Sequence, residues 1–374
     1  MRGAIGGKVR VAGAGHSNVP IACTEDTLLS VERLTGVRSV DPEKMTATFA
    51  AGTVIREIGD ALWEHGLALR NQGDIDSQQL AGAVATGTHG TGRELTNFGG
   101  AVAGARLVTV SGEILEVGEE DPGLLDALRT SVGLLGVVSE LTLAVRDAYC
   151  LERTWSTLSW EEFGERWREL LEGNRHFTFF WNPHDDSSTL FGLPPAPGGR
   201  VQLKFMNPLP ADAERRGSGL HEDPLPHVDR SYRVFADQYD PQFVELEYLV
   251  DVEDTVAAVD DIRTLMAARH PEQRWPVECR FTAGDPGWLS PAYERPSCVI
   301  SCSGDFREEH VPFLRDCDRA LANYGARPHW GKLHFPDREL WERLYPRLGD
   351  FRVLRDRLDP GRVLVNEWLE PLAG

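Results

Sequence analysis

The feature that most constrains the fold of this chain is a glycine-rich turn directly after a short apolar strand near the amino terminus. Val9–Ala12 predicts the strand, and Gly13-Ala14-Gly15 predicts a tight turn that ends on His16 and Ser17. Two glycines at this spacing let backbone N–H groups converge without obstruction from a Cβ atom, a geometry that binds phosphate. The turn alone is also typical of an ordinary strand-to-loop connection with a surface histidine, so its meaning depends on the rest of the chain.

Residues 73–92 form a second segment of unusual composition, in which small residues alternate with hydroxyl and amide side chains. Such side chains fill little volume, so the segment does not predict a close-packed core. It is typical instead of backbone that lies along a flat polar ligand.

Together with motifs further along the chain, these segments resemble the flavoproteins of the vanillyl-alcohol-oxidase type, in the branch of sugar-1,4-lactone and alditol oxidases. The similarity extends over nearly the whole chain, and several motifs in one order are more specific than any single motif. The matching motifs are Gly15-His16-Ser17 with Ile21-Ala22-Cys23-Thr24, Gly87-Thr88-His89, Gly133-Leu134-Leu135-Gly136-Val137-Val138, Val277-Glu278-Cys279-Arg280-Phe281-Thr282, Arg327-Pro328-His329-Trp330-Gly331-Lys332, and Leu358-Asp359-Pro360 with Asn366.

The resemblance implies an α+β fold with an FAD-binding domain of the PCMH type and a cap domain. The FAD-binding domain would consist of two α/β subdomains, and the cap of an antiparallel sheet flanked by helices. We place the FAD-binding domain at residues 1–146, the cap or substrate domain at 147–326, and a segment that returns to the FAD-binding domain at 327–374.

The amino-terminal region is shorter than the resemblance leads one to expect. In this family a strand and a helix precede the glycine turn, whereas residues 1–8 match only the tail of that helix. Either the missing part is dispensable here or Met1 is not the true start, and we favour the second interpretation. The FAD-binding domain would then lack one edge of its first sheet, and an unpaired strand edge would weaken it.

Local patterns predict most of the regular elements. Thr53 is expected to cap a helix that stops at Gly66, and residues 192–219, rich in Pro and Gly, are expected to form a loop. The other predicted helices are 121–129, 155–171, 252–269 and 309–324, and the predicted strands are 37–40, 46–50, 103–110, 114–117, 140–145, 177–181, 243–250, 277–281 and 297–303.

Composition excludes several classes of partner. The 374 residues carry a formal net charge of −19, whereas nucleic acids and anionic membranes bind basic patches. The sequence has neither a long apolar run nor an apolar signal region at its start. We therefore expect a cytoplasmic monomer or small homo-oligomer without nucleic-acid or membrane partners. The six scattered cysteines predict reduced structural thiols rather than a metal site.

The resemblance implies FAD as the cofactor. His16 occupies the position at which relatives attach FAD covalently through a histidine nitrogen, and we expect that bond here; a histidine that only forms a hydrogen bond is the alternative. Further FAD contacts are expected from Val11, Ala12, Gly13, Ala14, Gly15, Ser17, Gln79, Gly82, Thr86, Gly87, Thr88, His89 and Val138. No metal is expected.

Glu278 and Arg280 are the strongest candidates for substrate chemistry. They lie two positions apart on a predicted strand, so both side chains point to one face. A buried carboxylate and guanidinium must pair, because an unpaired buried charge is costly, and a purely structural ion pair is one interpretation. The resemblance implies instead that both contact substrate hydroxyls and that Arg280 favours the anionic reduced flavin.

Other candidates come from three further segments. Lys332 reaches the flavin and the substrate in this family, although an ordinary surface lysine is the alternative. Asp74 stands where relatives place a polar group beside the substrate, with a capped turn as the alternative, and Asn366 is expected to hold the carboxyl-terminal segment. The proton acceptor stays open between Glu278, His329 and Lys332, the last if Arg280 depresses its pKa.

These residues imply an oxidoreductase that oxidises a CH–OH group of L-gulono-, L-galactono- or D-arabinono-1,4-lactone by hydride transfer to flavin N5. Oxygen or another electron acceptor would complete the cycle. An alditol oxidase acting on xylitol or sorbitol is the second hypothesis, because the Glu–Arg–Lys set is shared. A flavin-binding protein without catalysis is the third, suggested by the short amino-terminal region.

Overall fold

The computed structural model describes residues 7–236, 243–305, 310–335 and 338–374. Within these ranges the fold is α+β, as the sequence predicts, with three sheets. The expectation about residues 1–8 falls mostly on residues 1–6, which lie outside the described residues, as does Glu309 at the start of the predicted helix 309–324.

The glycine turn follows the first strand of a small parallel pair. β1 (Val9–Ala12), which confirms the prediction, pairs with β2 (Thr27–Ser30). The Val9 N–H donates to the carbonyl of Val363 at 2.8 Å, so the carboxyl-terminal segment lies beside β1. Gly15 then adopts a φ of +79°, in the left-handed region that favours glycine.

A second, antiparallel sheet lies in the first part of the chain. Its order is β3-β4-β8-β6-β7, with β5 paired to β8, and its helices contribute to one apolar core with it. The strands are β3 (Val37–Asp41), β4 (Thr46–Ala50), β5 (Leu67–Leu69), β6 (Val102–Val108), β7 (Ile114–Val117) and β8 (Val137–Asp147), and the helices are α1 (Ile55–Glu64), α2 (Leu80–Thr86) and α3 (Pro122–Leu128).

The third sheet is antiparallel and has helices packed on it, as expected for a cap. Its order is β12-β9-β11-β10-β14-β15-β13-β16. The strands are β9 (Tyr149–Leu158), β10 (His176–Trp181), β11 (Val201–Pro210), β12 (His227–Arg230), β13 (Val244–Asp251), β14 (Val277–Thr282), β15 (Ser297–Gly304) and β16 (Arg327–Pro328), and the helices are α4 (Trp160–Glu172), α5 (Ser187–Leu190), α6 (Ser231–Phe235), α7 (Thr255–Arg269) and α8 (Val311–Ala322).

The carboxyl-terminal segment packs against the first part of the chain. Side chains of α9 (Arg338–Leu344), α10 (Leu348–Leu358) and α11 (Glu370–Ala373) join the core of the second sheet. The Asn366 amide donates to the carbonyls of Pro20 at 3.0 Å and Cys23 at 2.9 Å. Asn366 therefore holds this segment, as expected, against the chain that follows the glycine turn.

Three of the local predictions are wrong. Residues 155–158 belong to β9 rather than to a helix, because a capping box of Ser159 and Glu162 starts α4 only at Trp160. The predicted loop 192–219 contains β11, whose alternating residues follow the Pro- and Gly-rich part of that segment. Thr53 does not cap α1; its hydroxyl donates to the Ala50 carbonyl at 2.7 Å, and the helix begins at Ile55.

Across the described ranges, every helix is either too short or too polar to cross a membrane.

Candidate active site

One face of the third sheet carries the core and the other carries charges. Apolar residues at alternate positions of β10, β11, β13, β14 and β15 form a core with α4, α7 and α8. Successive side chains in a strand point to opposite faces, so the intervening positions share the other face. The residues at these positions include Phe180, Lys204, Glu245, Glu247, Glu278, Arg280 and Ser301.

This charged face borders a cavity that encloses about 820 Å³ of non-protein space, part of it open to solvent. We call it the charged pocket. Its polar lining comes from Asp74, Glu245, Glu247, Glu278, Arg280, Lys332, His89 and His329, and its apolar lining includes Phe180, Phe191 and Phe243.

Arg280 is the centre of the charges. It donates to Asp74 at 2.9 Å and to Glu247 at 3.0 Å, and its Nε lies 3.6 Å from a carboxylate oxygen of Glu278. Lys204 approaches Asp74 from the other side at 3.6 Å. The expected contact between Glu278 and Arg280 is confirmed, but the guanidinium pairs with three carboxylates rather than one.

Lys332 pairs with a carboxylate that the sequence analysis did not identify. Its ammonium group contacts Glu245, whose second oxygen accepts a hydrogen bond from the Ser301 hydroxyl. Burial alone would lower the pKa of Lys332, but Glu245 and then Glu247 reverse the effect and raise it above its ordinary value. The expected net depression of the pKa of Lys332 is therefore wrong: Arg280 does lower this pKa, but Glu245 and Glu247 outweigh Arg280 and burial together.

The carboxylates of Glu247 and Glu278 differ in their proton affinity. Burial would raise the pKa of Glu247, but Arg280 and His89 outweigh burial and hold this pKa well below its usual range. Burial raises the pKa of Glu278 to about 7, because Arg280 offsets only part of the desolvation and Asp74 adds to it. Glu278 is thus the carboxylate of this pair that exchanges protons near neutral pH.

The two histidines of the pocket have different hydrogen-bond partners. The His89 Nδ1 lies 2.8 Å from the Gly90 carbonyl oxygen, and its Nε2 lies 2.6 Å from a carboxylate oxygen of Glu247. His329 accepts the Gly331 N–H at Nδ1, 3.1 Å away. Burial lowers the pKa of His329 to about 3, so its ring is neutral and carries its hydrogen on Nε2.

A second cavity lies along the two glycine-rich segments. We call it the glycine groove; it is lined by residues of 10–23, 75–86, 131–138 and 329–332 and encloses about 1450 Å³ of non-protein space, part of it open to solvent. Its lining comes from four separate segments of the chain, so the groove is extended rather than confined to one turn. A Cβ atom added to Gly15 or Gly82 would meet no atom within 4 Å and would project into open space.

Most of the predicted FAD contacts line the glycine groove. They are Val11, Ala12, Gly13, Ala14, Gly15, His16, Ser17, Gln79, Gly82, Thr86 and Val138. Thr88 and His89 line the charged pocket instead, and Gly87 lines neither cavity because it ends α2 in the left-handed conformation. His16 lies part-buried, with its Nε2 3.1 Å from the Ser77 hydroxyl.

The groove and the pocket meet at four residues that line both: Ile75, Gln78, His329 and Lys332. Asp74, Glu278 and Arg280 lie on the pocket side of this junction. A ligand in the glycine groove and a second ligand in the charged pocket would therefore be neighbours, separated by no intervening element of the described chain.

Sequence reasoning missed Glu245, Glu247, Lys204 and Gln78. In the printed sequence, Glu245 and Glu247 alternate with the apolar Leu246 and Tyr248, which is also the pattern of a strand with one solvated face. The alternation was visible, but nothing in it distinguished a solvated face from a buried charged one.

The glycine groove suits a dinucleotide such as FAD. Small residues of the two glycine-rich segments form much of its lining, and none of its lining residues is Asp or Glu, so no carboxylate of the lining repels an anionic phosphate. Among the described residues, no group of three or more His, Cys, Asp or Glu side chains could hold a metal ion.

Comparison with known families gives two matches that follow one another along the chain. Residues 4–118 match the family described as FAD binding domain, and residues 213–372 match the family described as D-arabinono-1,4-lactone oxidase.

Curated relatives match nearly the whole chain. An L-gulono-1,4-lactone dehydrogenase of Mycobacterium tuberculosis is 34% identical over 99% of this chain and 91% of its own length. An L-gulonolactone oxidase of Bos taurus is 27% identical over 97% and 89%. An alditol oxidase of a Streptomyces species is 30% identical over 96% and 89%.

Among solved structures, a cholesterol oxidase described as solvent-stable superimposes with a TM-score of 0.83 at 16% identity, covering 99% of this chain and 91% of the other. At this identity the likeness concerns the fold alone, and it supports the predicted arrangement of an FAD-binding domain with a cap.

Proposed function

Because the chain belongs to the family of FAD-dependent sugar-lactone oxidoreductases, we propose that it oxidises a CH–OH group of L-gulono-, L-galactono- or D-arabinono-1,4-lactone. The observation that carries this proposal is the junction of the two cavities. At this junction the charged pocket lies next to the groove that suits the flavin. The charged side chains of the pocket can form hydrogen bonds with a polyhydroxylated ligand.

When bound in the groove, FAD supplies the acceptor for a hydride at N5. The residues of the charged pocket must therefore hold the hydroxylated carbon at the junction and remove the hydroxyl proton. Lys332 and His329 lie at the junction itself, and Arg280 fixes Asp74, Glu247 and Glu278 around the pocket.

We propose that Glu278 accepts the hydroxyl proton. His329 has no free lone pair for this purpose, because Nδ1 accepts a backbone N–H and Nε2 of the neutral ring already carries a hydrogen. Lys332 is an ammonium group bound to Glu245. Glu278, with a pKa raised by burial to about 7, is ionised above neutral pH and can take the proton.

Proton transfer to Glu278 also changes the charge of the pocket in a useful direction. Asp74, Glu245, Glu247 and Glu278 lie beside Lys204, Arg280 and Lys332, and His89 contacts Glu247. When Glu278 takes up a proton, the net charge of this cluster rises by one positive unit. That charge arises beside the groove in the same reaction that carries a negative charge into it with the hydride.

Substrate profiling tests the proposal. Turnover of the three lactones should be compared with that of xylitol and sorbitol, with flavin reduction under anaerobic conditions as the direct readout. Flavin reduction by alditols and not by lactones would overturn the lactone assignment. It would favour the alditol hypothesis, which the similarity to the Streptomyces alditol oxidase supports. The hypothesis of a flavin-binding protein without catalysis has lost its support, because family membership indicates an oxidoreductase.

We further propose that His16 forms the covalent bond to FAD. Its position on the glycine groove supports this role. We expect flavin fluorescence to stay with the polypeptide on a denaturing gel after acid precipitation. The same fluorescence should be absent from the His16→Ala variant. Flavin released from the unaltered chain would contradict the bond while leaving FAD binding intact.

Several coarser features are proposed on the sequence argument alone. The domain limits at 146/147 and 326/327, a monomeric or small homo-oligomeric state, a cytoplasmic location, and oxygen or another electron acceptor remain predictions. Oxygen consumption during lactone turnover, measured beside reduction of an artificial acceptor dye, distinguishes an oxidase from a dehydrogenase.

A further inference from the structure

A buried arginine that the sequence analysis did not consider lies beneath the glycine groove. Arg10, in the middle of β1, is only 3% exposed and contributes to the groove lining. Burial lowers the pKa of Arg10 to about 10, so the guanidinium still carries its charge at neutral pH.

Arg10 is held by carbonyl oxygens from three separate segments. It donates to Ile21 at 3.0 Å and to Leu364 at 2.5 Å. It also donates to the carbonyls of Val132 at 2.8 Å and Gly133 at 3.2 Å, two residues of the groove lining. These contacts fix the guanidinium in one place between the walls of the groove.

Arg10 differs in its charge balance from the cations of the charged pocket. Arg280, Lys204 and Lys332 each pair with a carboxylate, whereas no described Asp or Glu forms an ion pair with Arg10. Carbonyl oxygens satisfy its hydrogen bonds but do not neutralise its charge. A buried cation without a counter-charge is costly, and a bound anion would remove that cost.

The glycine groove around Arg10 is itself free of acidic side chains. None of its lining residues is Asp or Glu, although the chain has 58 acidic residues and a net charge of −19. The groove is therefore a place in an acidic protein where an anion meets a fixed positive charge.

We propose that Arg10 supplies the counter-charge for the diphosphate of FAD, in addition to fastening the walls of the groove. The inference rests on FAD binding and not on the identity of the oxidised substrate. Its test is a binding measurement, so its failure would leave the lactone proposal untouched.

The experiment compares ligands with and without phosphates. Apoprotein is prepared in a His16→Ala background, so that no flavin is covalently retained, and the affinities for FAD and riboflavin are measured by flavin fluorescence. Arg10→Met should weaken FAD binding about 100-fold, the effect of losing an interaction with a charged group, and leave riboflavin binding unchanged. Arg10→Lys, which keeps the charge, should retain most of the preference for FAD over riboflavin.

Arg327 provides a matched control. It is also buried and donates to backbone carbonyls, those of Pro291 and Tyr293, but it does not line the glycine groove. Arg327→Met should leave the ratio of FAD to riboflavin affinity unchanged, whatever it does to stability.

Two results would overturn the proposal. If Arg10→Met loses FAD and riboflavin affinity equally, the role of Arg10 is purely structural. If the FAD affinity of Arg10→Met is unchanged, Arg10 has no role in FAD binding. If Arg10→Met does not fold, competition on protein that retains Arg10 decides. Inorganic pyrophosphate should then compete with FAD and not with riboflavin, and absence of competition with FAD would refute the proposal.

Discussion

The glycine groove is lined largely by small residues and contains no Asp or Glu, whereas the charged pocket beside it is lined by many ionisable groups in close contact. The groove offers space and backbone donors, and its one buried unpaired cation is Arg10 among the described residues. In the pocket every cation has a carboxylate partner within the fold. The two cavities nevertheless share four residues.

This difference indicates how each region responds to substitution. Where glycines line the groove, an added side chain takes space that the ligand needs. We expect the effects of such substitutions to be largely independent of one another. A pocket of matched charges is damaged by removal of any one of them, because its partner is left buried and unpaired. The following predictions test this contrast.

The largest effect is expected from Arg280→Met. Three carboxylates would lose their shared partner, and the pocket would lose the charge that favours hydride transfer. We expect kcat to fall roughly 1,000-fold, with the flavin absorbance retained because Arg280 does not line the glycine groove. Arg106→Met, which removes an exposed arginine paired with Glu116, should change kcat less than about twofold. Near-normal turnover of Arg280→Met would refute its role.

Glu278→Gln tests the proton acceptor with little change in volume. In the unaltered protein, kcat/KM should rise with pH through about 7, because Glu278 must be ionised and its pKa is raised to about 7 by burial. The variant should lose roughly 100-fold in kcat/KM together with this pH-dependent rise. A variant that keeps the same rise would show that another group accepts the proton.

Glu245→Gln tests a residue that acts through Lys332. Without this partner, burial would lower the pKa of Lys332, so the ammonium charge would be lost at a lower pH than in the unaltered protein. We expect kcat/KM about 10-fold lower and an alkaline decline that begins earlier in the pH profile. Glu253→Gln, which breaks an exposed pair with Arg168, is the control, and an identical alkaline profile in Glu245→Gln would contradict the positioning role.

The smallest effect is expected in the groove. Gly82→Ala, in α2, should raise the unfolding free energy of the apoprotein by about 1 kcal/mol, because alanine has a higher helix propensity than glycine. It should also weaken FAD binding several-fold, since the methyl group enters the groove. Gly164→Ala, in α4 and also without atoms near the added Cβ, should give the same gain in stability without the loss of affinity. Tighter FAD binding in Gly82→Ala would break the comparison between the two regions.

The groove was largely predictable because most of its predicted contacts lie in two short segments of the sequence. Gly13 and Gly15 lie in one turn, and residues 75–86 lie in one segment, so local conformation brings most of the predicted contacts together. The exceptions show the limit of that reasoning. Thr88 and His89 continue the same segment, but the chain turns at Gly87 and delivers them to the charged pocket.

The pocket was predictable only in part. Glu278 and Arg280 share a face because they lie two apart on β14, and that spacing is visible in the sequence. Asp74 reaches Arg280 from the second glycine-rich segment, and Glu247 reaches it from β13. The contact with Glu247 depends on the order β14-β15-β13 and the contact with Asp74 on how a distant loop meets this sheet, neither of which a local pattern contains.

The sequence by itself determined the α+β fold, the groove that suits FAD and the Glu278–Arg280 contact, because each depends on backbone conformation or on spacing within one element. Only the tertiary structure decided which groups carry protons. It paired Lys332 with Glu245, left Glu278 largely desolvated with a raised pKa, and filled the acceptor position of His329. A proton affinity depends on burial and on charges from other strands, and both exist only after the sheets have formed.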